Sequence, residues 1–334
     1  MTRPSVSVVI PCFNQGLFLR DALDSVFHQT LQPTEVLVVD DGSTDATSVI
    51  AGACPGVRCV RQPNLGLARA RNRGLRETSG EFLVFLDADD RLLPEALAIG
   101  VAEIQARPGC AFVFGRCDRI DRSGHRLPTV PPPPIDGDAY AALLRNNPVW
   151  TPAVAMFRRS VCAPWLRFNP AVGPAADYDL YLRLARHRHI HGHGRLVAEY
   201  RLHDASMSRD GALMLRSTVK VLRSQRRHVA GAVDRMAAWE YGVRSFRHHY
   251  GDQVVAQIRT DWREPAKWAR LVRNAGVLLR YHPGGVLRQT GRRLQRVVIR
   301  SAATRESPAG ARGGRVQTPS LDGAPDLDGT PRES

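Results

Sequence analysis

The 334-residue chain has no apolar run near the roughly 18 residues that a membrane-spanning helix needs. Nor does it begin like a secretory signal, because Met1-Thr2-Arg3-Pro4 leads straight into a strand-like segment. Both absences predict a cytoplasmic protein. Cysteine is sparse. Cys12, Cys54, Cys59, Cys110, Cys117 and Cys162 form no Cys-x-x-Cys and share no His/Cys ligand spacing, so six reduced thiols are expected rather than a zinc or disulfide framework. No Gly-x-Gly-x-x-Gly follows the first apolar segment, which argues against a dinucleotide-dependent oxidoreductase. Internal repeats are absent.

Acidic residues are missing where the charge is most uneven. Residues 212–300 carry 19 basic and 5 acidic side chains, a net +14. Residues 1–211 carry 24 and 22, and residues 301–334 carry 4 and 5. The chain's net +15 therefore belongs to one segment, as in an attached surface-binding module. No nucleic-acid-binding motif accompanies the charge, so nucleic acid is the weaker partner. Leu287, Leu294, Val297 and Val298 beside Arg288, Arg292, Arg296 and Arg300 make a basic amphipathic stripe. Such a stripe suits the anionic inner face of a membrane, and a solvated helical face is the plain alternative.

Hydrophobic residues at 43% and charged residues at 24% are those of a globular protein. The length allows one large or two ordinary domains. Aliphatic runs at Val6–Ile10, Glu35–Val39, Val57–Val60, Phe82–Leu86 and Ala111–Phe114 read as strands. Helical periods lie between them, over Leu17–Gln29, Ala68–Glu77 and Pro94–Arg107. This alternation predicts an α/β fold with a mostly parallel sheet and flanking helices. Further strands are expected at Val154–Phe157 and Ile190–Leu202, with a helix over Asp177–Ala185. Residues 212–300 read as helical, broken near His282-Pro283-Gly284-Gly285. The organisation expected is an α/β domain over 1–210, a basic helical extension over 211–300 and a disordered tail over 301–334.

Three strand ends are chemically loaded: Pro11-Cys12-Phe13-Asn14, Asp40-Asp41-Gly42-Ser43 and Asp87-Ala88-Asp89-Asp90. A parallel sheet brings all three to one edge, where open α/β sheets bind ligands. Asp87 and Asp89, one residue apart, can share a hard divalent cation with substrate phosphates. Asp90 and Pro94 suit the start of the next helix.

These segments resemble the family 2 nucleotide-sugar glycosyltransferases of GT-A fold. The matching stretches are Val6–Asn14, Val38–Asp45, Asn64–Gly74, Phe85–Asp90, Ala176–Arg183 and Tyr200–His203. The resemblance covers about residues 4–210. It implies inverting transfer of a sugar from a nucleoside diphosphate sugar to a hydroxyl of a glycan or lipid-linked acceptor, with Mg²⁺ or Mn²⁺. It further implies that Asp40 and Asp41 contact base and ribose, with Pro11 and Phe13 walling the base. Gly66, Arg71 and Asn72 line the donor site. Asp89 binds the metal, and Asp87 lies nearer the ribose or a metal-bound water. Arg201 and His203 come over the diphosphate. Asp177 is the candidate base, although the acid that the family places before it is Ala176 here. That departure keeps a non-catalytic nucleotide-sugar-binding protein as the alternative. Asp179 is the fallback base. His187, His189, His191 and His193 alternate, so a strand would carry all four on one polar face. Acceptor specificity is expected in the loops of 116–176.

Overall fold

The computed structural model describes residues 3–262 and 264–283. The amphipathic stripe of 286–300 and the tail of 301–334 lie outside these residues. The first half runs β1 (Val6–Cys12), α1 (Gly16–Phe27), β2 (Glu35–Asp40), α2 (Thr47–Gly52), β3 (Val57–Arg61), α3 (Leu67–Glu77) and β4 (Phe82–Phe85). Then come β5 (Arg91–Leu92), α4 (Ala96–Gln105), β6 (Cys110–Ile120), β7 (Arg126–Leu127) and α5 (Ala139–Arg145). After these follow β8 (Ala155–Arg158), α6 (Arg159–Cys162), α7 (Ala176–His187) and β9 (His189–Arg201). Three helices close the described chain: α8 (Gly211–Val229), α9 (Val233–Asp261) and α10 (Trp268–Tyr281).

The strands form one sheet in the order β3-β2-β1-β4-β8-β6-β9-β5, with β7 paired to β6. The four strands from β3 to β4 are parallel, as their helical crossovers require. Beyond β4 the sheet becomes mixed: β8 is antiparallel to β4 and β6, whereas β9 runs parallel to β6. The chain leaves β1 toward β2 and β3, then returns to lay β4 on the other side of β1. Cys12 pairs with Asp40 and Val9 with Phe85, so the ends of β1, β2 and β4 share one edge at this reversal.

Every residue of β1 and β4 is buried, which explains their unbroken apolar character. Phe85, Phe112, Phe157 and Tyr181 form an aromatic cluster with ring centroids 5.2–6.4 Å apart. It seats α7 on the sheet. Leu180, Leu182 and Leu184 are fully buried there, each contributing roughly 1.5–3 kcal/mol.

The helices after residue 210 are built onto this layer. Val221, Leu222 and Val229 of α8 and Ala238 and Val243 of α9 belong to the same apolar core as the sheet. Gly242 lets α9 cross α5, since a Cβ there would lie 1.8 Å from the Leu144 carbonyl oxygen. A smaller apolar cluster, with Leu215, Val219, Val254, Val277 and Leu278, holds α10. Among the described residues no helix is long and apolar enough to cross a membrane.

Candidate active site

The three loaded strand ends open on one cavity of about 1110 Å³. Its floor includes Pro11, Phe13, Asp41, Gly66 and Arg71. Asp87, Asp89 and Asp177 line it as well. The sheet edge therefore gathers most of the residues singled out from the sequence. Asp40, Asn72, Arg201 and His203 stand behind the wall.

Asp40 and Asp41 are neighbours with different work. The Asp40 carboxylate accepts from the Ser43 main-chain N–H at 2.8 Å and from the Ser48 hydroxyl at 2.5 Å, with Arg61 3.6 Å away. Burial raises its pKa, but the hydrogen bonds and Arg61 outweigh that and hold the group below its ordinary range. Asp40 thus fastens its own turn. Asp41 accepts from the main-chain N–H groups of Leu65 and Gly66 at 2.9 and 2.8 Å and from Gln62 at 2.7 Å. This ties the end of β2 to the turn before α3. Gly66 has φ +88°, a backbone region that a side chain would strain. Asp45 anchors the same loop, accepting from the N–H groups of Gly16 and Thr47 at the starts of α1 and α2.

Arg71 is 2% exposed and donates through Nη2 to both oxygens of Asp87, at 2.6 and 2.9 Å. Its Nε and Nη1 are buried without a hydrogen-bond partner, although Arg71 is among the residues that line the cavity. Burial opposes its charge, but Asp87 and Asp177 together raise its pKa. For Asp87, burial pushes the carboxyl up, with Arg71 opposing and Asp89 adding to the rise. Asp89 places Oδ2 2.9 Å from Nε2 of His203. The His203 ring packs on Phe18, 4.8 Å between centroids. A carboxylate beside an imidazole, with a second carboxylate two residues away, is a donor set that fits a divalent ion such as Mg²⁺ or Mn²⁺.

Asp90 does not cap α4, as the sequence reading expected. The residue before α4 is Glu95, which makes no side-chain cap. Asp90 is fully buried and accepts from the Thr151 hydroxyl at 2.8 Å and the Arg201 N–H at 3.0 Å. Arg201 turns away from the cavity. Its guanidinium donates to the carbonyls of Asp89 and Arg122, both at 2.8 Å, and to Asp21 at 2.9 Å. It braces the Asp89 loop from behind. Asn72 is spent likewise, exchanging two 2.8 Å bonds with the main chain of Phe168.

Asp177 sits in the first turn of α7, half-buried on the cavity wall. Burial pushes its carboxyl up to about 6, with Arg71 pulling the other way. Ala176 is buried beneath the helix start and does not line the cavity. Asp179, the fallback base, also lies off the cavity and is held by Arg183 at 2.8 Å. The histidine run does not share one strand face. His187 ends α7 and stacks on Trp165 at 4.8 Å, leaving His189, His191 and His193 on β9.

Part of the lining comes from α8 and α9, which no motif in the sequence points to. Thr218 of α8 and Phe246, His249, Tyr250, Gln253 and Gln257 of α9 face the strand-end carboxylates across the cavity. Trp150, Asn147 and the Pro131–Pro133 loop complete the rim. Burial pushes the Tyr250 phenol up to about 12, and the charge of Asp177 adds to this. The i, i+4 spacing of Phe246 and Tyr250 and of Gln253 and Gln257 signals a shared helix face. It does not say what that face covers.

Residues 7–165 match the family described as glycosyl transferase family 2. Chondroitin synthase of Escherichia coli is 30% identical over 189 residues, which are 54% of this chain and 26% of that protein. The chain thus spans about a quarter of the length of that relative. Mannosyltransferase PcManGT from Pyrobaculum calidifontis, solved with GDP-Man and Mn²⁺, superposes with a TM-score of 0.58 at 21% identity, covering 85% of this chain and 82% of that one. S. aureus TarS 1-349 with UDP gives 0.55 at 19% identity over 70% of each chain. At such identities the structural likeness speaks for the fold. Family match and fold agree: residues 7–165 match glycosyl transferase family 2, and the chain has a fold similar to that of GT-A glycosyltransferase structures.

Proposed function

We propose that the protein transfers a sugar, with inversion and metal assistance, from a nucleoside diphosphate sugar to a hydroxyl of a glycan or lipid-linked acceptor. The observation that carries this reading is the shared cavity. Asp89 and Asp177 open onto it with the buried Arg71 guanidinium electrostatically engaged by both Asp87 and Asp177. The nucleotide-bound states of PcManGT and TarS and the chondroitin synthase likeness support a nucleotide-sugar donor.

In this reading Asp41, Gly66, Pro11 and Phe13 surround the nucleoside. Arg71 places its positive charge beside the diphosphate and holds Asp87 toward the ribose. Asp89, backed by His203, would hold Mg²⁺ or Mn²⁺, which neutralises the diphosphate as leaving group. Asp177 takes the proton from the acceptor hydroxyl; a carboxyl raised to about 6 is a stronger base than an ordinary aspartate and is still ionised at neutral pH. The acceptor lies between Asp177 and α9. Aromatic faces at Trp150, Phe246 and Tyr250, with amides at Asn147 and Gln253, suit a pyranose ring. The catalytic domain over 1–210 is completed on its acceptor side by α8 and α9. Peripheral contact with an anionic membrane through the basic segment belongs to the same reading, for a cytoplasmic enzyme with a lipid-linked acceptor.

The alternative, a non-catalytic nucleotide-sugar-binding protein, rests on Ala176. Ala176 is buried and does not line the cavity, which weighs against that alternative. The test is nucleoside diphosphate release with and without glycan acceptors. Turnover that vanishes in Asp89→Ala and Asp177→Asn, with unchanged circular dichroism, supports transfer. Nucleotide-sugar binding without any turnover would establish the non-catalytic reading.

A further inference from the structure

We propose a second metal site, independent of the donor site, in which His248, Asp252 and His282 bind a zinc-class ion and clip α10 to α9. His248 and Asp252 stand one turn apart on α9, and His282 caps the end of α10. One ligand atom from each lies within 4.8 Å of the other two. Nε2 of His248 and Oδ2 of Asp252 are 3.6 Å apart. That is long for a hydrogen bond and close to the edge of a tetrahedron with arms of about 2.1 Å, roughly 3.4 Å.

The approach of His282 depends on a residue without a side chain. A Cβ at Gly251 would lie 2.6 Å from Cδ2 of His282. Gly251 therefore lets the imidazole rest on the α9 backbone, where it is 7% exposed. The rings of His248 and His282 are tilted by 51° with centroids 6.1 Å apart, so they converge without stacking. The neighbouring His249 faces the other way, 3.1 Å from Gln253 on the cavity side.

Two imidazoles and one carboxylate favour Zn²⁺, Co²⁺ or Ni²⁺ over Mg²⁺, which prefers oxygen ligands. Three protein ligands leave a fourth position for water, consistent with the exposed side chains of His248 (63%) and Asp252 (47%). The clip has mechanical sense. α10 rests on the small second apolar cluster and on ion pairs such as Arg270–Asp261. Small cores gain most from a metal staple. The same turns of α9 carry Tyr250 and Gln253 into the cavity, so the ion would stiffen that wall.

The test titrates the full chain with Co²⁺ under excess Mg²⁺, following visible absorption, then displaces it with Zn²⁺. One equivalent of Co²⁺ with the absorption of a tetrahedral or five-coordinate site is expected. Affinity should fall at least about tenfold in His248→Ala and in Asp252→Asn and stay unchanged in Asp89→Ala. Both ligands replaced are surface residues, so the variants keep their fold. Zn²⁺ should raise the melting temperature of the parent protein and not of His248→Ala. Absence of bound Co²⁺, binding that survives both ligand variants, or binding lost in Asp89→Ala would each overturn the proposal.

Discussion

One guanidinium nitrogen, Nη2 of Arg71, holds both carboxylate oxygens of Asp87, at 2.6 and 2.9 Å. The pair joins α3 to the end of β4 under the cavity, and the charge of Arg71 also reaches Asp177. Replacing Arg71 with Met leaves Asp87 without its counter-ion. Breaking a buried pair from one side costs about 3–5 kcal/mol. Because Asp87 keeps 23% of its side-chain surface, about 3 kcal/mol is expected. Urea denaturation of Arg71→Met reads this directly. The double variant Arg71→Met/Asp87→Asn should recover part of the loss.

With Asp177 as the base of the proposed transfer, the pH dependence follows from its carboxyl. Burial raises its carboxyl to about 6, so the base form is lost as pH falls through that value. The predicted kcat/KM is flat near neutral pH and declines about tenfold per unit well below pH 6. Removing Arg71 takes away the group that favours ionised Asp177, so the decline should move to higher pH. Asp177→Asn should lower kcat by roughly 10²–10⁴ with donor KM little changed. A pH profile of both variants checks the sign as well as the size.

Asn72 is expected to matter for the fold rather than for the donor. Its amide exchanges bonds with the Phe168 main chain, and Asn72→Ala leaves those two groups unpaired. The expected cost is about 1–3 kcal/mol. Donor KM of the folded fraction should hold within a few-fold. A large loss of donor binding at unchanged stability would return Asn72 to the ligand site.

Across the cavity, Tyr250→Phe and Gln253→Ala test the α9 wall. Each should raise the KM for acceptor several-fold, as loss of a hydrogen bond worth about 0.5–1.5 kcal/mol requires. Donor hydrolysis without acceptor should stay the same. Initial rates at varied acceptor concentration separate the two effects.

Much of this arrangement is legible in the residues alone, and the gaps have physical causes. The aliphatic runs at Val6–Ile10 and Phe82–Leu86 announce buried parallel strands, and their acidic ends announce a shared edge. Which of two neighbouring groups faces the cavity is another matter. Arg71 and Asn72 are about 100° apart on one helix, and only the placement of α3 against β4 and Phe168 assigns each its side. Asp40 and Asp41 differ for the same reason: one is claimed by Ser43 and Ser48, the other by the turn at Leu65 and Gly66. Arg201 belongs to the matched segment, yet the Asp89 carbonyl behind the site takes its guanidinium. The α9 wall depends on contacts between residues far apart in sequence, such as Gly242 with Leu144, which no local pattern records.

The central claim is that Asp89 and Arg71 bind the diphosphate of a nucleotide sugar together with a divalent ion. A thermal-shift screen of nucleoside diphosphate sugars, with and without Mn²⁺, tests it most directly. At a ligand concentration near 100 times Kd, stabilisation of about 2.7 kcal/mol and a shift of roughly 5 °C are predicted for the cognate donor. The shift should require Mn²⁺ or Mg²⁺ and disappear in Asp89→Ala. No stabilisation by any nucleotide sugar, or a shift that persists without metal and in Asp89→Ala, would contradict the account.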